Sequence, residues 1–244
     1  DGRRQKGERM KILNFAPLLS LQNPELAEGF KSAEILSVSP LQDPHLPGEL
    51  IKCEIGAQSF VLALICASFC DEPYFAELDL EYLSGESSVG EEEIEQICEF
   101  LQSGCDALLI DDALIKTHPD AENIKAFLSL IAAKFGVKIL SLRGERADLG
   151  AQEGANLSPL KELMSFDGAV VFKHDADERL IGGRYFSMVA KIKGGDRVRI
   201  KTSHLNLEKE FILDEELKGT IALLGSGGQG FGGYNFELAE ISKV

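Results

Sequence analysis

A chain of 244 residues that is 44% hydrophobic can bury one large core or two modest ones. Its longest apolar run, Phe60–Cys70, falls short of the roughly 18 residues a bilayer span needs, which argues against direct membrane insertion. The net charge of −15 is concentrated: Glu54 to Ile115 holds fifteen Asp and Glu and no Lys, Arg or His, so phosphates are repelled there and nucleic acid is excluded as a partner of that region.

This acidic stretch reads as a solvated face, with a docking surface for a basic partner as the alternative. No charged-then-apolar leader with a small-residue cleavage site marks the chain for export. Five cysteines, an odd number in apolar surroundings, fit a reducing cytoplasm and a soluble isolated chain. The chain begins at Asp1, and residues 1–10 read as a leader ahead of Met10 or as the start of a fragment.

In chain order, Lys11–Phe15 and Glu34–Val38 have the apolar character of short buried strands, with a loop marked by Pro40, Pro44 and Pro47 after the second. Ile51–Ile55 is a third strand. Gln58–Phe69 has helical spacing and is apolar all round, which predicts a buried helix. The sequence SVGEEEI from Ser88 starts the clearest helix: Glu91, Glu92 and Glu93 load its first turn, Ile94, Ile97, Cys98 and Leu101 form its inward stripe, and Gly104 stops it. Ala107–Ile110 is a strand, Asp120–Phe135 an amphipathic helix closed by Gly136, and Val137–Leu142 a strand. Pro159–Met164 reads as a short helix and Ala169–Phe172 as a strand.

This alternation predicts an α/β fold, a parallel Rossmann-like sheet with helices on its faces. From about Tyr185 the rhythm changes. Lys193–Ile200, Glu208–Asp214, Leu217–Leu224 and Tyr234–Ile241 read as strands of a small all-β barrel. The polar run His174–Arg179 separates the two patterns, giving domains of 11–178 and 179–244.

Candidate chemistry is sparse. Gly225, Gly227 and Gly230 match G-x-G-x-x-G after an apolar strand, but a dinucleotide fingerprint needs a helix at the loop and an acidic residue about 20 positions on. Phe231-Gly-Gly-Tyr-Asn follows instead, so the segment reads as a connection between barrel strands. Cys66 and Cys70 are four apart and Cys98 and Cys105 seven apart; none has cluster or zinc spacing, and each reads as an inert core thiol. His45, His118, His174 and His204 lack partners at metal or triad spacing, though His118 before Pro119 and His174 beside Asp175 and Asp177 stand out. Ser84, Ser87 and Ser88 lack a nucleophile elbow. Asp111-Asp112, at a strand end, reads equally as a functional carboxylate pair and as turn chemistry. No catalytic residue and no metal ligand is assigned.

Three segments in order, Glu86–Ile94 (ESSVGEEEI), Ala107–Leu114 (ALLIDDAL) and His118–Ile124 (HPDAENI), resemble a run of the large iron–sulfur subunit of respiratory NADH–quinone oxidoreductases, within the molybdopterin oxidoreductase superfamily. Ile55–Leu64 resembles the segment preceding that run. Gly195–Ile200 with Lys218–Leu223 is similar to the superfamily's C-terminal double-psi β-barrel, so the resemblance covers roughly Lys11 to Val244. It implies a scaffold portion whose iron–sulfur clusters sit in the N-terminal part of the parent subunit, with the other subunits of a peripheral arm as partners on the cytoplasmic side of the inner membrane. In the superfamily's molybdoenzymes the last glycine loop and its Asn help hold a pterin dinucleotide, which makes Gly230, Gly232, Gly233 and Asn235 the cofactor-binding candidates. The respiratory subunit keeps the fold without molybdenum, so these residues are expected to be a relic and this chain to hold no cofactor. A formate dehydrogenase-like cofactor-binding half and a free-standing acidic interaction module are the alternatives.

Overall fold

A computed structural model describes residues 9–150, 157–228 and 230–244. Most of the expected leader, residues 1–8, therefore lies outside the described residues, as does Gln229 of the glycine motif. The chain forms two compact units, divided between Leu163 and Met164.

The first unit is a five-stranded parallel sheet with helices. Its strands are β1 (Lys11–Asn14), β2 (Glu34–Ser39), β3 (Glu49–Lys52), β4 (Ala107–Ile110) and β5 (Lys138–Ser141), in the order β3-β2-β1-β4-β5. The short helices α1 (Leu19–Gln22) and α2 (Pro24–Gly29) follow β1, and Leu19, Ala27 and Phe30 pack on Ile12, Ile35 and Leu109 of the sheet. The crossover from β3 to β4 carries α3 (Gln58–Ala67), α4 (Pro73–Ala76), α5 (Leu80–Ser87) and α6 (Glu91–Gln102). Between β4 and β5 come α7 (Asp112–Lys116) and α8 (Ala121–Phe135).

Helix α3 is buried on every side from Gln58 to Cys66, because α5, α6 and α8 surround it while α6 and α8 reach β1 and β5. Its uniform apolarity is thus a consequence of position, as the sequence pattern requires. Helix α6 begins where the three glutamates predict: the Glu93 carboxylate accepts the Gly90 amide at 2.9 Å, and Ile97, Cys98 and Leu101 point inward. Gly136 closes α8 at φ 70°, the left-handed conformation a glycine adopts without strain.

Pro159–Met164 does not form the expected helix. It is tied to α8 and its cap at two points: Ser158 N–H, just before the segment, donates to Asn123 Oδ1 at 3.0 Å and Lys161 N–H to Asp120 Oδ1 at 3.1 Å. The segment has no regular secondary structure and is largely exposed, so a six-residue helix there gains too little packing to offset its nucleation.

The second unit is a seven-stranded mixed sheet. It comprises β6 (Val170–His174), β7 (Leu180–Gly182), β8 (Arg197–Lys201), β9 (Asn206–Leu213), β10 (Ile221–Gly225), β11 (Phe236–Leu238) and β12 (Glu240–Lys243), with helix α9 (Arg184–Ala190) after β7. The order is β11-β6-β10-β7-β9-β8-β12. Strand β6 pairs in parallel with β10 and antiparallel with β11, so it belongs to this sheet. The run His174–Arg179 is therefore the end of β6 and the β6–β7 connection, and the compact unit starts upstream of it. Tyr185 lies in α9, not in a strand.

The expected last strand, Tyr234–Ile241, divides at Ala239 into β11 and β12, which pair with β6 and β8 at opposite edges of the sheet. Consecutive Cα atoms are only about 3.8 Å apart, so one residue spanning both edges forces the sheet to curl until they meet at that corner. The curled sheet encloses Val171, Leu180, Phe186, Val198, Phe211 and Leu224.

Candidate functional site

Open α/β sheets bind ligands at the carboxyl ends of strands where the strand order reverses, here between β1 and β4. The chain's own groups fill that position. Phe15 continues the ladder by donating to the Leu109 carbonyl at 2.8 Å and is fully buried. The Asn14 side chain accepts from the Ala16 amide at 3.0 Å and donates to the Ala16 carbonyl and the Ser37 hydroxyl. Gln22 bridges the gap, donating to the Pro17 carbonyl at 2.7 Å and to Asp111 Oδ2 at 3.2 Å. Asp111 also caps α7 by accepting from Ala113 N–H at 2.9 Å, and Asp112 pairs with Lys116 one turn on. Both strand-end carboxylates thus serve a helix terminus.

The structure brings Ser59, His118 and Asp120 together, though not as a catalytic relay. The His118 ring bonds the Gly56 carbonyl through Nε2 at 2.9 Å and accepts the Asp120 amide at Nδ1, while the Asp120 carboxylate takes the Ser59 hydroxyl at 3.0 Å. The serine hydroxyl is thus directed to the carboxylate, and the ring nitrogens to backbone groups. Burial holds His118 below its usual range, keeping it neutral. The cluster ties the start of α3 to the start of α8.

Four cysteines are buried and Cys70 is half-buried. Burial pushes Cys53 up to about 12 and Cys105 to about 11, so neither is a thiolate at neutral pH. Among the described residues no group of three or more His, Cys, Asp or Glu is placed to hold a metal.

A buried charged cluster lies in the second unit, beneath the glycine-rich loop that the sequence singles out. Lys173 of β6 and Glu237 of β11 have side chains only 2% and 8% exposed and pair at 3.1 Å. Lys173 also donates through Nζ to the Gly232 carbonyl and through its backbone N–H to the Asn235 carbonyl at 2.8 Å. His204 Nδ1 meets the same Glu237 oxygen and the Ser203 hydroxyl.

Burial pulls the Lys173 ammonium down against the pull of Glu237. Burial pushes Glu237 up, but contacts from Thr202, Lys173 and His204 outweigh it and hold the carboxyl below its ordinary value. Among the described residues no donor bonds Glu237 Oε2.

The loop above is pinned at its start as well. Gly225 and Gly227 donate to the Arg179 and Asp177 carbonyls at 2.8 and 2.7 Å, and Ser226 bonds the Asp175 carboxylate and the His174 carbonyl. At Gly225 a Cβ would lie 2.3 Å from the Asp177 carbonyl oxygen, which leaves no room for a side chain, and Gly227 (φ 68°) and Gly233 (φ 77°) hold left-handed backbone conformations beside the Glu178 and His204 side chains. Of the cofactor-binding candidates, Gly232, Gly233 and Asn235 gather around Lys173 and Glu237, whereas Gly230 stands in the exposed part of the loop. The chain leaves this loop into β11, not into a helix.

Lys173 and Glu237 escaped the sequence reading, and His204 was read there as lacking a partner. The available signal was a lone cation in the apolar strand Val-Val-Phe-Lys-His and a lone acid in Phe-Glu-Leu, since charges inside buried strands are rarely left unpaired. No family model matches the chain, and no curated protein is significantly similar to it.

Proposed function

We propose that this chain is a scaffold portion of an electron-transfer subunit, of the kind found in the iron–sulfur subunit of respiratory NADH–quinone oxidoreductases, and carries no chemistry of its own. On this reading the five-stranded sheet is a Rossmann-like half and the curled sheet a double-psi type barrel. The succession of the two, with a glycine loop before the last strands, supports it.

The observation that carries the reading is the Lys173–Glu237 clamp. The cation that would greet a phosphate is spent on Glu237 and the Gly232 carbonyl, and a buried carboxylate stands against Gly233. An anionic cofactor at Gly232–Asn235 would meet repulsion and a neutralised lysine, so the loop acts as an internal joint. Iron–sulfur clusters belong to the N-terminal part of the parent subunit, and the partners are other subunits of its peripheral arm. Among the described residues no helix is long and apolar enough to cross a membrane, so the assembly supplies any contact with one.

The test is purification from the source cell through a tag expressed at native level. The chain is expected in a complex with iron–sulfur absorbance and quinone-reducing activity, while the isolated chain binds neither iron nor a pterin nucleotide. Recovery only as a free protein, or stoichiometric iron on the isolated chain, overturns the reading.

A further inference from the structure

A groove of about 510 Å3 opens within the first unit between α3, α5 and the start of α6. Its lining is apolar: Leu64 and Val89 form a buried floor, Ala67 and Ile94 the sides, and Leu80 a wall that is 45% exposed. Glu81 and Glu91 stand on the rim. Neither forms an ion pair among the described residues, and Glu92, Glu95 and Glu99 extend the exposed acidic face along α6.

The groove is built before any occupant arrives. The α5–α6 turn is fixed by Ser84 Oγ donating to the Val89 carbonyl at 2.9 Å, by Glu54 N–H donating to the Ser87 carbonyl at 3.0 Å, and by Ser88 Oγ on the Glu54 carboxylate at 3.1 Å. A preformed cleft of this kind binds with little ordering cost.

Its chemistry selects the occupant. An anionic partner is repelled by the cation-free run from Glu54 to Ile115, with its fifteen carboxylates. A neutral apolar one gains nothing from the rim. A helix whose residues at i, i+3 and i+4 are apolar, and whose flanks carry Lys or Arg, satisfies floor and rim together. We propose that this groove receives a basic amphipathic helix from a partner protein. The inference is independent of the scaffold reading, because it concerns other residues and needs no parent complex.

The test uses the full chain and a fluorescein-labelled Leu/Lys peptide with amphipathic helical spacing. Controls are a shuffled peptide of the same composition and a Leu/Gln peptide with the same apolar face. The expected result is one amphipathic peptide per chain, bound at least tenfold more tightly than either control. Binding weakens between 0.1 and 1 M salt, as the Debye length falls from about 10 to 3 Å, and drops at least tenfold in Leu80→Arg. The exposed Leu80 position leaves the fold unchanged by circular dichroism, and Glu25→Arg on α2 binds like wild type. Equal binding of the shuffled peptide, or wild-type affinity in Leu80→Arg, overturns the proposal. So does concentration-dependent dimerisation that Leu80→Arg abolishes, which would give the groove to a second copy of the chain.

Discussion

Glu237→Ala strands an ammonium group in a protein interior. Lys173 is 2% exposed and, among the described residues, its charged partner within 4 Å is Glu237 at 3.1 Å, so the variant must either keep a buried, uncompensated charge or deprotonate the lysine. Breaking a buried pair from one side costs about 3–5 kcal/mol. His204, half-exposed beside Glu237, lets water approach one end, so the lower figure applies. For a unit of this size, residues 164–244, about 3 kcal/mol corresponds to a fall in Tm of roughly 12–24 °C, a large share of a stability of about 5–15 kcal/mol. The chain has no tryptophan, so the melt is followed by far-ultraviolet circular dichroism, with hydrogen exchange at Val170–His174 assigning the loss to the curled sheet. Lys173→Met combined with Glu237→Leu removes both charges and recovers most of the loss, because Gly232 is exposed and water replaces the lysine at its carbonyl. A Glu237→Ala protein within about 1 kcal/mol of wild type would refute the clamp. Glu237 titrates below its unfolded value, so its contribution is present at neutral pH and is lost as the pH falls through the folded value.

Two further outcomes are expected. Burial keeps His118 and His174 neutral in the folded protein, so the unfolded chain takes up protons first; stability falls as the pH drops below about 6.5, by up to about 1.4 kcal/mol per pH unit for each group. Urea midpoints at pH 7.5 and 5.5 measure this, and an unchanged pH dependence in His118→Gln contradicts it. A thiol reagent applied to the native protein is expected to label Cys70 quickly and the four buried cysteines slowly, with all five reacting in denaturant; rapid native labelling of a second cysteine contradicts the burial.

The legible parts of the fold are those whose signals are local. Helix α6 announces itself through Glu91–Glu93, and α8 through its apolar stripe and Gly136. The central strands β1, β2 and β4 announce themselves through adjacent apolar residues, Ile12-Leu13, Ile35-Leu36 and Ala107–Ile110, because a parallel sheet is covered on both faces. Short helices such as α1, α2 and α7 carry no period long enough to read, and caps such as Asn23 and Asp111 hold them in place. At Pro159–Met164 the residues suit a helix, but the segment is largely exposed and six residues do not sustain a helix without packing.

By itself, the sequence determined the alternation of elements, the acidic middle, the buried helix α3 and the strand-rich character of the end, though not its helix α9, since each follows from residue type and spacing along the chain. Only tertiary structure decided that β11 and β12 part at Ala239 to opposite sheet edges, and that Lys173, His204 and Glu237 converge under the glycine loop. Residues 31 and 33 positions apart have no periodic relation. Their meeting is set by strand pairing, and the cost of leaving a charge unpaired inside the sheet requires that, once met, they bind one another.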